Sequence, residues 1–240
     1  MPRLRGPLAA VPEGASAWPS LNALLFGAHD RGGYDTPVLA EATPVDWPAV
    51  FGRTAPLALE IGFNRGYFLT ELARRNPQRD HIGIEVARRF VWRYVQLMAT
   101  RPGGPPAAEG RTGPTEAPPN VRVAWADARA AAPAMFAPGS LEAIYILFPD
   151  PWWKKRHHKR RLVQGDFGPQ LAALLAPGGR IWIKSDVPDI AGEIDEALAA
   201  QPDLGDRREF EVADLPLTWR ERKCIATGLP ITRFSYGKLG

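Results

Sequence analysis

Short apolar runs alternate with amphipathic helical stripes along most of this chain, and few folds accept that alternation. L-A-L-E-I at Leu57–Ile61, residues 81–86, V-R-V-A-W at Val121–Trp125, residues 141–148 and residues 180–184 each read as a buried strand. Between them, Phe68, Leu69, Leu72 and Ala73 share one face of a helix over 66–75, which Asn76-Pro77 ends. Phe90, Val91, Tyr94, Val95 and Met98 form the next stripe, and 128–136 is a weaker helix. Phe167, Leu171, Leu174 and Leu175 make a further helical face, stopped by Pro177-Gly178-Gly179. Pro188–Ala199 carries Ile190, Ile194 and Leu198 as another helix. Residues 209–212 and 231–238 have period two and read as closing strands, and 46–50 as a short helical turn. Strands alternating with helices predict βαβ units: an α/β fold with a doubly wound, mostly parallel sheet and an antiparallel C-terminal edge.

At 240 residues and 45% apolar composition, the chain has room for one large domain with appendages. Residues 1–45 are rich in Ala, Pro and Gly and read as a mobile or loosely packed N-terminal arm, with the domain over 46–240. The Pro/Gly-rich stretch 101–119 reads as a surface insertion. Cys224 is the single cysteine, so no internal disulfide and no Cys-based zinc site is expected; no metal is expected, and a reducing cytoplasm suits the chain. No 18-residue apolar run suggests a membrane span. Arg3 and Arg5 are followed by no continuous apolar core, so no secretory signal is expected.

Residues 148–161 read F-P-D-P-W-W-K-K-R-H-H-K-R-R. Lys154, Lys155, Arg156, Lys159, Arg160 and Arg161 lie close together with no acid among them, although the net charge of the whole chain is only +4. Like charges so close repel, so the run does not serve stability. Asp150 lies between Pro149 and Pro151, each of which fixes φ and removes a donor. A fixed carboxylate beside dense cations points to chemistry on a polyanion, and clustering of basic residues points to nucleic acid.

Glu60 to Gly66 closes the first strand and opens the first helix. Gly62 and Gly66 would let the backbone pass close to a ligand at the helix N-terminus. Asn64 occupies the middle position of a G-x-G-x-G loop, and Asn tolerates positive φ better than other non-glycine residues. Glu85 ends the second strand, where an acid accepts from ribose hydroxyls, and Asp127 follows the third, where it can accept from an adenine amino group. Three strand-end acids oppose a pyrophosphate and suit a cationic nucleoside. That favours S-adenosylmethionine over a nicotinamide dinucleotide.

These segments resemble the bacterial tRNA (guanine-N7-)-methyltransferases. The matching pieces are L-E-I-G-F-x-x-G (59–66), I-G-I-E-V (82–86), F-P-D-P-W-x-K-K-R-H-x-K-R-R (148–161), L-V-Q (162–164) and the tail T-x-x-E…G-x-x-I (218–231). The resemblance implies a Rossmann-like class I methyltransferase, S-adenosyl-L-methionine as donor, and tRNA, at a guanine of its variable loop, as substrate. It implies Glu60, Glu85, Asp127 and Asp150 as donor-site residues, with Asp150 the catalytic acid; Gly62 and Gly66 join the donor site through the loop. It implies Lys154, Asp186 and the 218–221 segment, with Thr218 and Glu221, as substrate contacts; that polar stretch between the two closing strands reads as a loop. Arg156 and Lys159 join the tRNA side through the basic run. The chain departs from the family pattern at Asn64, where glycine is usual, and at Arg220, where an aromatic usually precedes the glutamate.

Guanine N7 has a free lone pair, so methylation needs no prior deprotonation, and positioning carries most of the acceleration. Asp150 is expected to stabilise the purine as positive charge arrives, a general-base role being the alternative. N7 faces the major groove, which side chains do not reach in an A-form helix. The target base must therefore leave its stack, and Trp152 or Trp153 can stack on a base. An RNA-binding module on a methyltransferase fold without turnover is the competing class; donor binding without RNA methylation distinguishes it.

Overall fold

Every residue of β3 (Leu57–Ile61) and of β4 (Asp80–Glu85) is buried, the pattern of strands covered on both faces. The computed structural model describes residues 27–30, 35–38, 44–99 and 118–240. Most of the expected arm at 1–45 and insertion at 101–119 lies outside the described residues. Within the arm segment, β1 (Gly27–Asp30) pairs antiparallel with β2 (Asp35–Val38).

The main sheet adds β5 (Val121–Trp125), β6 (Leu141–Leu147), β7 (Leu175–Ser185), β8 (Leu204–Glu209) and β9 (Thr232–Lys238), in the order β5-β4-β3-β6-β7-β9-β8. β3 pairs parallel with both β4 and β6, so the strand order reverses there, and β9 runs antiparallel between β7 and β8. This is the expected doubly wound sheet with an antiparallel edge. Ligands bind such sheets beyond the carboxyl ends of the strands at the reversal point.

Side chains alternate across β3. Leu57, Leu59 and Ile61 join the larger core with α1 (Trp47–Phe51), α4 (Ala128–Met135), α5 (Phe167–Leu174) and α6 (Pro188–Ala199). Ala58 faces the other way, against Phe68 and Leu72 of α2 (Tyr67–Arg75). On that same face Val91 and Tyr94 of α3 (Arg88–Ala99) cover β5.

Three expectations are corrected. Pro177-Gly178-Gly179 does not stop α5. That helix ends at Leu174, and the Pro-Gly-Gly stretch is an irregularity inside β7, where Leu175 pairs with Leu141 but Arg180 with Ala143. A Cβ on Gly179 would fall 2.9 Å from two backbone carbonyl oxygens, so the bulge needs glycine. The penultimate strand is Leu204–Glu209, not 209–212, because Glu211 and Asp214 cap each other around a single 3-10 turn at Val212–Asp214. Its solvent-facing edge position explains why L-G-D-R-R-E shows no apolar alternation. Finally, 218–221 is not a loop. It opens α7 (Trp219–Thr227) through a capping box: Glu221 N–H donates to Thr218 Oγ1 at 2.9 Å, and the Glu221 carboxylate accepts from Thr218 N–H.

Candidate active site

The turn from β3 to α2 is built on three left-handed residues: Gly62 (φ 80°), Asn64 (φ 49°) and Gly66 (φ 73°). Asparagine thus supports the conformation that the loop requires of its middle position. Gly66 is fixed by crowding as well, since a Cβ there would lie 2.2 Å from the Tyr94 ring. A Cβ on Gly62 would meet nothing within 4 Å, so the protein leaves space open at the loop mouth.

Glu85 braces this loop from the end of β4. Its Oε2 accepts from Asn64 N–H at 2.9 Å and its Oε1 from Ala87 N–H at 2.7 Å. Burial raises its pKa, the two amides oppose the shift, and the nearby charge of Asp150 adds to it. The carboxylates that follow β4 and β6 are therefore near enough to feel one another's charge.

Glu60 is buried, and its Oε2 has no hydrogen-bond partner. Burial pushes its pKa up to about 8, the Glu85 carboxylate adds to the rise, and Lys184 opposes it. An unpartnered carboxylate at a strand end is costly to keep unless a ligand completes it. A donor carrying an ammonium and a sulfonium fits that requirement.

Asp127 follows β5 as the N-cap of α4, accepting from Arg129 N–H at 3.0 Å, and its Oδ2 accepts from the Arg129 guanidinium at 2.7 Å. The cap and the ion pair orient this carboxylate at the outer end of the strand-end row.

Asp150 is exposed beyond β6. The residues flanking its proline pair, Phe148 (φ 55°) and Trp152 (φ 46°), both occupy left-handed space. Such positions cost about 1–3 kcal/mol each in a non-glycine residue, and a fold keeps them where surroundings enforce them. Here Phe148 N–H donates to Lys184 O at 2.7 Å, and Arg161 Nε donates to Pro151 O at 3.0 Å. Arg161 also pairs with Glu193 of α6. The turn that presents Asp150 is thus clamped from both sides.

The basic run folds as a 3-10 segment, Lys155–Arg160, with Lys154 as its N-cap and no buried residue. Lys154, Arg156 and Lys159 are exposed, and Arg129 donates to Lys159 O at 3.2 Å, tying the segment to α4. Neither tryptophan belongs to the core. Trp152 is half-buried with Arg160 5.1 Å over its ring, and Trp153 is 70% exposed.

On the other flank Asp186 follows β7, accepting from Arg220 Nε at 3.0 Å. Thr218 is nearly buried in its capping role. Glu221 is fully buried, with Oε2 accepting from Lys184 Nζ at 2.7 Å and Oε1 from Arg233 at 3.1 Å. As an N3 capping residue it turns back toward the sheet, where both of its oxygens are held by cations. Sequence reasoning missed Lys184 and Arg233. A lysine within the apolar run I-W-I-K-S was the available signal, since lysine is rarely fully buried without a partner.

A family model described as a putative methyltransferase matches residues 54–234. A tRNA (guanine-N(7)-)-methyltransferase of Alkalilimnicola ehrlichii is 39% identical over 199 residues, covering 81% of this chain and 78% of the relative. One from Thiobacillus denitrificans is 40% identical over 187 residues, covering 77% and 76%. The chain belongs to the tRNA (guanine-N(7)-)-methyltransferase family. Solved structures share the fold at lower identity. A 16S rRNA methyltransferase, KamB, superposes with a TM-score of 0.57 at 19% identity, covering 82% of this chain and 95% of that one. A 16S rRNA (adenine(1408)-N(1))-methyltransferase from Catenulisporales acidiphilia gives 0.52 at 16%, covering 85% and 99%. This member of the tRNA (guanine-N(7)-)-methyltransferase family is therefore a class I methyltransferase in architecture.

The departures from the family pattern now have structural content. Asn64 keeps the left-handed turn between β3 and α2. Arg220, standing where an aromatic is usual, reaches Asp186, while the aromatic next to it, Trp219, stacks on Tyr67 of α2 with ring centroids 5.8 Å apart.

Proposed function

We propose that this protein transfers a methyl group from S-adenosyl-L-methionine to N7 of a guanine in the variable loop of tRNA, giving 7-methylguanosine, in the cytoplasm. The observation that carries the reading is the run of chain from β6 through Asp150 into the basic segment. It joins a clamped carboxylate at the sheet's reversal point to an exposed cationic surface that suits a polyanion, beside an unpartnered buried Glu60. Among the described residues no helix is long and apolar enough to cross a membrane.

Glu60 takes the amino-acid end of the donor, Gly62 and Gly66 leave room for its backbone approach, Glu85 accepts from the ribose, and Asp127 closes the adenine end. The donor supplies an electrophilic methyl: its carbon–sulfur bond breaks as the carbon–N7 bond forms, leaving a neutral thioether and a cationic purine. Asp150 accepts from the guanine N1–H and N2–H edge, so its charge meets the positive charge as it arrives. Because N7 starts with a lone pair, Asp150 need not remove a proton first. Lys154, Arg156 and Lys159 hold phosphates and offset the cost of withdrawing the base. Exposed Trp153 is the better candidate for stacking on a base. Asp186 and Thr218 border the guanine from the other flank.

The test is incubation of bulk tRNA with labelled donor, followed by digestion. Label in 7-methylguanosine is expected. Donor binding with no methylated nucleoside would turn the reading to an RNA-binding module without turnover.

A further inference from the structure

The stack around Trp219 lies on the opposite face of the sheet from the basic run. Arg161 of the basic run reaches α6, whose Ile190 and Ile194 belong to the larger core. Trp219 instead stacks on Tyr67, and α2 packs with Leu215 on the other face. Arg65 lies 5.0 Å over the Trp219 ring, so a guanidinium and a phenol both pack on the indole in one cation–aromatic ladder. Trp219 remains 41% exposed.

Beneath the ladder opens a cleft of about 540 Å3 between α2 and the 212–217 segment. Its rim carries Arg74, Arg75 and Arg222, with Arg75 paired to Glu71 of the same rim. The volume suits a nucleotide-sized ligand. Cations and a flat aromatic ladder are the two elements that bind single-stranded nucleic acid, phosphates to the first and base faces to the second.

We propose that the Arg65–Trp219–Tyr67 ladder and the cleft below it form a second RNA subsite. It takes a single-stranded stretch of the tRNA across the sheet edge from the 154–161 surface, resting on the reading that tRNA is the substrate. The two surfaces then hold the strand on either side of Asp150, so the target guanine is fixed between two anchors instead of swinging from one.

The test measures tRNA affinity and its salt dependence for the full chain, with S-adenosylhomocysteine affinity and melting temperature alongside. Trp219→Ala is expected to weaken tRNA binding by about tenfold, within the range for loss of one base stack. It should raise KM for tRNA while S-adenosylhomocysteine affinity holds, and Trp219→Phe should recover most of the loss. Arg74→Ala with Arg222→Ala should lower the salt slope by roughly 1.4–1.8, from two phosphate contacts. If Trp219→Ala fails to fold, the arginine pair decides. Wild-type tRNA affinity and slope in the folded variants would overturn the subsite, as would an effect confined to self-association. Wild-type protein that binds tRNA but makes no 7-methylguanosine would sink the catalytic reading instead, leaving the subsite to the binding ratios.

Discussion

Lys184 Nζ donates to Glu221 Oε2 at 2.7 Å, and neither side chain has any exposed surface. Arg233 of β9 reaches the other oxygen at 3.1 Å. One carboxylate thus ties β7, β9 and the start of α7 together. Burial lowers the pKa of Lys184, and Glu221 is what holds the charge on it.

Glu221→Gln leaves that lysine buried against a neutral partner. Breaking a buried pair from one side costs about 3–5 kcal/mol. The expected outcome is a fall of that order in unfolding free energy, read from the denaturant midpoint, with tRNA turnover falling as Thr218 and Arg220 lose their seat. A variant with unchanged midpoint but lost turnover would mean that Glu221 faces the substrate after all.

Most of the sheet was legible because its buried strands form short, mainly apolar runs between periodic helical stripes. Leu57–Ile61, Val121–Trp125 and Pro188–Ala199 fall where the pattern predicts. The misreadings share a cause: backbone hydrogen bonding overrode composition. Pro177-Gly178-Gly179 carries a breaker's composition yet supplies a bulge within β7, and T-W-R-E reads as polar loop yet is a capping box. At the site, the strand-end acids and the basic run were visible one residue at a time. Which acid has a partner was not, because Glu221 finds Lys184 only across thirty-seven residues of chain.

Asp150→Ala should nearly abolish methylation without unfolding the protein. The carboxylate is exposed, while the turn is held by Phe148 N–H and Arg161, so the backbone does not depend on it. Single-turnover kinetics beside a melting curve checks this. Activity within a few-fold of wild type would remove Asp150 from the mechanism.

Glu85→Ala should weaken S-adenosylhomocysteine binding and leave tRNA affinity unchanged. It removes an expected ribose acceptor and also the acceptor for Asn64 and Ala87 N–H, so the donor loop loosens. Calorimetry reads both effects. An unaltered dissociation constant would move the nucleoside away from the end of β4.

Arg156→Ala with Lys159→Ala removes two exposed cations from a segment with no buried residue. Stability should hold, and the salt slope of tRNA binding should fall by roughly 1.4–1.8. Donor affinity should not move. A slope equal to wild type would return the run to a solvated charged surface.

The last prediction concerns the proton on Glu60. Its pKa in the fold is about 8 against an ordinary 4.5, raised first by burial and then by Glu85. The native state therefore holds a proton that the unfolded chain releases above about pH 4.5. Stability should decline as pH rises from about 4.5 to about 8 and level off beyond, because only there do both states release it. Glu60→Gln keeps a neutral side chain at every pH, so this contribution to the slope should vanish and the variant should exceed wild type in stability at pH 9. A cationic donor reverses the balance. Its ammonium favours the carboxylate, so binding at pH 7 should expel close to one proton from wild type. Calorimetry of donor binding at pH 7 in two buffers of different ionisation enthalpy reads this directly. The observed heats should differ in wild type and coincide in Glu60→Gln. Equal heats in wild type would mean that the donor's charge does not meet Glu60, and the amino-acid end of the donor would have to lie elsewhere along the strand ends.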